Sequence, residues 1–203
     1  MLSMTHHDPA TPHITRLDLD FPLTDPAVDA GEAEMLQFAL DRSRTLIAWK
    51  CGGLDAAALH RPHLPSAMTL GKILKHLAVV EARYTIDFDG DRPGAPLDTP
   101  EAQSDPTWAW RTAPDDTPEH LQTLWTDAVR RSRTALRTAL ANGGLDQPAK
   151  YTATDDGASP NLRRIVVDLI DEYARHLGHV DLFREATDGL VGENPPSPLS
   201  PPA

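Results

Sequence analysis

The chain has 203 residues, with 19 Lys or Arg against 30 Asp or Glu, a formal net charge of −11 and a pI near 5.1. That balance speaks against a binder of duplex DNA or of an anionic membrane, whose affinity rests on neutralising phosphates, and no apolar run reaches the ~18–20 residues of a membrane span. A single cysteine, Cys51, excludes an internal disulfide framework, and Met1 to Asp8 carry neither the basic nor the apolar region of a signal peptide, so a soluble cytoplasmic protein is expected.

The 19 prolines leave four stretches without any, 27–61, 66–92, 119–147 and 161–194, each the size of one long helix and its turn. Asp25-Pro26 is the expected start of the first helix, a capping side chain ahead of a proline at the first helical position. Its apolar face comprises Met35, Leu36, Ala39, Leu40, Leu46, Ile47 and Trp49, and Gly52-Gly53 ends it. The second helix begins at Ser66 or Thr69, presents Leu70, Ile73, Leu74, Leu77, Val80 and Tyr84, and stops at Gly90. Thr117-Pro118 opens the third, which runs to Gly143-Gly144. There Leu121, Leu124, Trp125, Ala128, Val129, Ala135, Leu136, Ala139 and Leu140 oppose Arg130, Arg133 and Arg137, so the run Arg130-Arg131-Ser132-Arg133 reads as a solvated face. Ser159-Pro160 is the expected start of the fourth, whose apolar arc contains Ile165, Val166, Leu169, Ile170, Tyr173, Leu177, Val180 and Phe183 before Gly189.

Four helices with one apolar face each must bury those faces against one another, which predicts an all-α four-helix bundle. The expected bundle spans 25–191, between a flexible N-terminal tail (1–24) and a proline-rich, disordered C-terminal tail (192–203). Its second and third connections are long. The segment 91–116 has five prolines, and its Trp108 and Trp110 predict packing onto the bundle as a short helix; 144–158 is the other.

Some polar residues fall on the wrong face. At ~100° per residue, His176 lies ~40° from Glu172, inside the apolar arc, with Glu172 and His179 on its border. Carboxylate and imidazole four residues apart stack on one helical face and can reach one ion. On the second helix His76 stands at the edge of the apolar arc, ~40° from Val80. Two imidazoles and a carboxylate from two helices make a three-ligand site with open positions, although a hydrogen-bonded core histidine is the simpler account of each residue alone. His6, His7, His13, His60, His63 and His120 read as solvent-exposed, and Cys51, at a helix end beside Lys50, as structural.

At these residues the sequence resembles the DinB/YfiT-like superfamily of metal-binding four-helix bundles. Within it the chain is similar to the actinobacterial mini-circle-protein-like branch, related to mycothiol-dependent maleylpyruvate isomerase-type proteins. The segments that carry the resemblance are Arg44-Thr-Leu-Ile-Ala-Trp-Lys-Cys-Gly-Gly-Leu54, Pro65-Ser-Ala-Met-Thr-Leu-Gly-Lys-Ile-Leu-Lys-His-Leu-Ala-Val-Val-Glu81 and Asp171-Glu-Tyr-Ala-Arg-His-Leu-Gly-His-Val-Asp-Leu-Phe-Arg-Glu185. The resemblance implies an up-down-down-up bundle and a metal held by His76, Glu172 and His176. Glu172 stands where histidine is commoner in the superfamily, and His179, where many relatives carry glutamine, would support the ligands from behind or face the substrate rather than bind the metal.

A divalent metal, zinc first and nickel or iron as alternatives, would then activate a thiol such as mycothiol, or a water, for S-transfer or isomerisation on a small electrophile. Arg83 and Arg175 are the candidates to hold an anionic group. A homodimer is the superfamily's default. The alternatives are a non-catalytic metal-binding stress-response protein and a pathway-specific metalloenzyme of specialised metabolism.

Overall fold

The computed structural model describes residues 16–151 and 157–193, and these contain helices and no strand beyond two isolated bridges. Four long helices dominate: α1 (Glu32–Cys51), α3 (Leu70–Asp89), α6 (Pro118–Gly143) and α7 (Leu162–Asp188). Between α1 and α3 lies the single turn α2 (Ala56–Leu59), and between α3 and α6 lie α4 (Pro100–Ser104), α5 (Trp108–Thr112) and a 3-10 turn at Ala113–Asp115. The segment with two tryptophans is therefore helical, as its composition suggested.

Caps define the ends. Thr69 accepts from Lys72 N–H and Thr117 from His120 N–H, each satisfying a backbone donor that the first turn leaves free. Gly90 and Gly189 close α3 and α7 with φ of 87° and 79°, the left-handed conformation that costs a side chain most. Two starts differ from expectation. α1 begins at Glu32 behind Gly31, not at Asp25-Pro26, because a turn in which Ala30 N–H donates to Ala27 takes up the intervening residues. α7 begins behind Asn161, which caps Arg164 N–H, and not at Pro160. The Pro160 carbonyl instead accepts from Ala149 N–H at 2.8 Å, in a bridge that holds it extended.

α3 packs along α6, α1 along α7, and α3 across α7. Contacts at the ends give the directions. Glu32 pairs with Arg163 where α1 and α7 start, and Lys50 pairs with Asp181 near their ends, so the two run in the same sense. The core is built from leucine, isoleucine and alanine with Trp49, Phe88, Trp125 and Tyr173. A buried polar network crosses it. Arg44 of α1 donates to both carboxylate oxygens of Glu81 on α3, at 2.8 and 2.7 Å, and to Ser132 of α6. Tyr173 of α7 donates to Glu81 at 2.6 Å and accepts from Trp125 Nε1.

Part of the segment 1–24 packs on the bundle: Leu17 N–H donates to the Ala48 carbonyl, Leu19 is buried, and the Arg133 guanidinium lies over Phe21. His6, His7, His13, most of the N-terminal tail and nearly all of the C-terminal tail lie outside the described residues. Among the described residues no helix is long and apolar enough to cross a membrane.

Candidate metal centre

His76 occupies the second turn of α3, and Glu172 and His176 share one face of α7. The crossing of those two helices brings the three side chains together. His76 Nε2 lies 2.7 Å from Glu172 Oε1 and His176 Nε2 lies 3.2 Å from the same oxygen. One ligand atom from each residue falls within 4.8 Å of the others, a group that could hold a metal ion. The donor chemistry fits: two imidazoles and one carboxylate are a set that binds a divalent ion and leaves positions open. His176 is buried, 6% exposed, whereas the His76 and Glu172 side chains keep 20% and 24%, so the centre opens on the His76 side.

The charge states suit coordination, which needs neutral imidazole and ionised carboxylate. Burial pulls the His176 pKa below its ordinary value, and the neighbouring His76 adds to this. Burial would raise Glu172, but the hydrogen bond and charge of His76, with those of His176, outweigh it and hold the carboxyl below its ordinary value.

Aromatic rings enclose the cluster. Trp110 of α5 stacks on the His76 ring, with centroids 4.5 Å apart, and is tilted 5.9 Å from His176. Lys75, next to His76 and itself buried, fixes this segment: its ammonium pairs with Asp116 and sits 4.4 Å over Trp108. On the other side His179 lies 5.7 Å from His176 and contacts Phe183, on whose ring His63 stacks at 4.3 Å. His179 is therefore beside the three ligand candidates and not among them.

The remaining candidates divide. His120 is exposed, as expected. His60 and His63 are not: the His60 ring donates to the Asp116 carbonyl and packs on Gly71, and His63 lies against α7. Their loop folds back over the bundle, which spacing along the chain does not reveal. Cys51 is buried, and burial pushes its thiol up to about 12, so it is inert at neutral pH. Arg175 is exposed, pairs with Asp171 at 3.1 Å and reaches Glu172 at 3.9 Å, so it stands at the outer edge of the centre with its guanidinium already engaged. Arg83 lines two cavities that both reach His76, one of about 540 Å³ under α4 and α5 and one of about 320 Å³ between α3 and α7.

Two residues escaped the sequence. Trp110 was placed on the bundle but not over His76. Asp87 lines the smaller cavity, and its signal was available, because Val80, Tyr84 and Asp87 follow one another at helical spacing along the face that carries His76.

The profile of the mycothiol-S-transferase family matches residues 35–189, a span that includes all three ligand candidates and Trp110. No curated protein and no solved structure matches the chain. The match covers about three quarters of the chain, so this protein is a member of the mycothiol-S-transferase family, within the DinB/YfiT-like group that the helical fold and the paired motifs on α3 and α7 had indicated.

Proposed function

We propose that this protein is a metal-dependent S-transferase that joins a mycothiol-type thiol to a small electrophile. The observation that carries the reading is the convergence of His76, Glu172 and His176, with two cavities reaching His76 and one of them also Glu172, in a chain of this family. The three side chains hold one divalent ion, and zinc suits the His₂Glu set best. A divalent ion bound there lowers the pKa of a coordinating thiol, so that the thiolate is present at neutral pH without a separate base. The chain supplies the rest. Trp110 stacks on one face of the His76 ring and fixes its orientation, and the Lys75–Asp116 pair holds the tryptophan segment down. Arg83, which makes no hydrogen bond or ion pair among the described residues, offers an unengaged guanidinium to an anionic leaving group or substrate carboxylate. His179 lies on the far side of His176, where its ring packs between His176 and Phe183.

Metal analysis of the purified protein and a mycothiol-dependent assay with a chromogenic electrophile test the proposal. One ion per chain is expected, together with turnover that chelation abolishes and remetallation restores. His176→Ala should lose the ion and lower kcat/KM by more than ~100-fold, beyond what removal of an outer partner of a metal ligand costs. Stoichiometric metal without turnover across a panel of electrophiles would instead indicate a metal-binding protein without catalysis. Failure to bind metal after reconstitution defeats both.

A further inference from the structure

The cavity between α3 and α7 contains a feature that the metal centre does not use. Asp87 is 6% exposed and lines this cavity, yet its carboxylate makes no hydrogen bond and no ion pair among the described residues. Its oxygens are not sealed from water but reach the cavity, so their donors come from whatever fills it. Burial raises its pKa to about 6, with Arg83 pulling the other way. Its surroundings are mixed: Tyr84, Tyr151 and Arg83 line the same space, while Asp168 on the α7 side is already held by Arg164. Asp87 lies eleven residues beyond His76, three helical turns or ~16 Å along α3, and the one cavity touches both residues.

We propose that this cavity is a subsite for a polyhydroxylated sugar or cyclitol group, with Asp87 as the acceptor for its hydroxyls and the thiol-bearing end directed to His76. The surroundings select this chemistry. An ammonium ligand would meet Arg83, a like charge in the same space, whereas a polyol donates to Asp87 and accepts from Arg83. Tyr84 and Tyr151 add aromatic surface for the apolar face of a ring. Burial, with the charge of Asp168, lifts the Tyr84 hydroxyl to about 12, so it stays neutral and can both donate and accept. Mycothiol is such a ligand, a cysteine derivative attached to an amino sugar and inositol. The subsite rests on the thiol-transfer reading for the ligand's identity, and on Asp87 for its place.

The test uses the S-methyl thioether of mycothiol, which keeps the sugar and cyclitol and has no thiol to react or to bind a metal. Calorimetry on the full chain should show binding with and without metal, weakened at least tenfold in Asp87→Asn and less in Tyr151→Phe, with neither variant less thermally stable than wild type. In turnover, Asp87→Asn should raise KM for mycothiol by a similar factor and leave the use of N-acetylcysteine, which lacks the sugar, unchanged. Equal binding by wild type and Asp87→Asn overturns the subsite, as does an equal loss with both thiols, which would mark Asp87 as structural. Preference for a simple alkylammonium over the thioether overturns the polyol assignment. Asp87-dependent binding without turnover supports the subsite and removes the transferase reading; turnover indifferent to Asp87 does the reverse.

Discussion

Single residues carry the chemistry here, and their legibility in the sequence depends on how far along the chain their partners lie. Glu172 and His176 were readable because they are four apart on one helix, and His76 because it interrupts an apolar face. Asp87 was passed over because an acidic residue near a helix end is ordinarily solvated, and only the packing of α7 and of Tyr151 across it makes it buried. Its burial has a consequence for stability. The folded pKa, about 6, lies above the ordinary 3.8, so the folded state binds more protons than the unfolded one between those values. Stability from this group is full below pH ~4 and is lost as the pH rises through 6, by on the order of 2–3 kcal/mol at ~1.4 kcal/mol per unit. Asp87→Asn removes the penalty. Without ligand the variant should melt several degrees above wild type at pH 7.5 and within a degree of it at pH 4, as differential scanning calorimetry can measure. The opposite ordering at pH 7.5 would mean that the carboxylate has a partner in solution.

At the scale of elements, caps and glycines narrowed the start of α3 to Ser66 or Thr69, of which Thr69 is the cap, and placed that of α6 at Thr117 and the ends at Gly90 and Gly189, because these signals are local. They misplaced the starts of α1 and α7, where a proline-led start lost to tertiary hydrogen bonding, most plainly at Pro160. The segment from α4 to the 3-10 turn was legible as packed but not as to where. Its position depends on Lys75, which leaves water only because Asp116 and the Trp108 ring receive it. Removing the carboxylate strands that ammonium, at a cost between ~1 kcal/mol for an exposed pair and ~3–5 kcal/mol for a buried one. Asp116→Ala should therefore release this segment before it unfolds the bundle. Limited proteolysis is expected to cut within 100–116 well ahead of wild type, while the far-ultraviolet signal stays helical. Trp110 fluorescence should shift toward that of exposed indole. Simultaneous loss of all helices would show that the segment is part of the global fold and not a strap across it.

For the whole molecule, apolar periodicity predicts four helices but does not choose which faces meet; charges in the core make that choice. Arg44, Glu81, Ser132, Trp125 and Tyr173 form one connected set that takes a member from each long helix. Burial disfavours the Arg44 charge, and Glu81 more than compensates, so the guanidinium stays charged inside the bundle. Tyr173 directly follows Glu172. Its bond to Glu81 therefore fixes the roll of α7 against α3 and with it the approach of Glu172 and His176 to His76. Such a network stabilises little against a well-packed apolar core, yet breaking it by halves is costly, because Glu81 is then buried without its cation, or Arg44 with only Asp41 left as a partner. Glu81→Leu should destabilise the protein by ~3–5 kcal/mol in guanidinium titrations, and Arg44→Met by a comparable amount. The double variant should recover much of the loss, giving a coupling of at least ~2 kcal/mol. Its metal content discriminates further. If the network serves to orient α7, the double variant regains stability but binds the ion more weakly than wild type, because Tyr173 has lost its acceptor. Recovery of both properties would show that apolar packing alone sets the geometry of the centre.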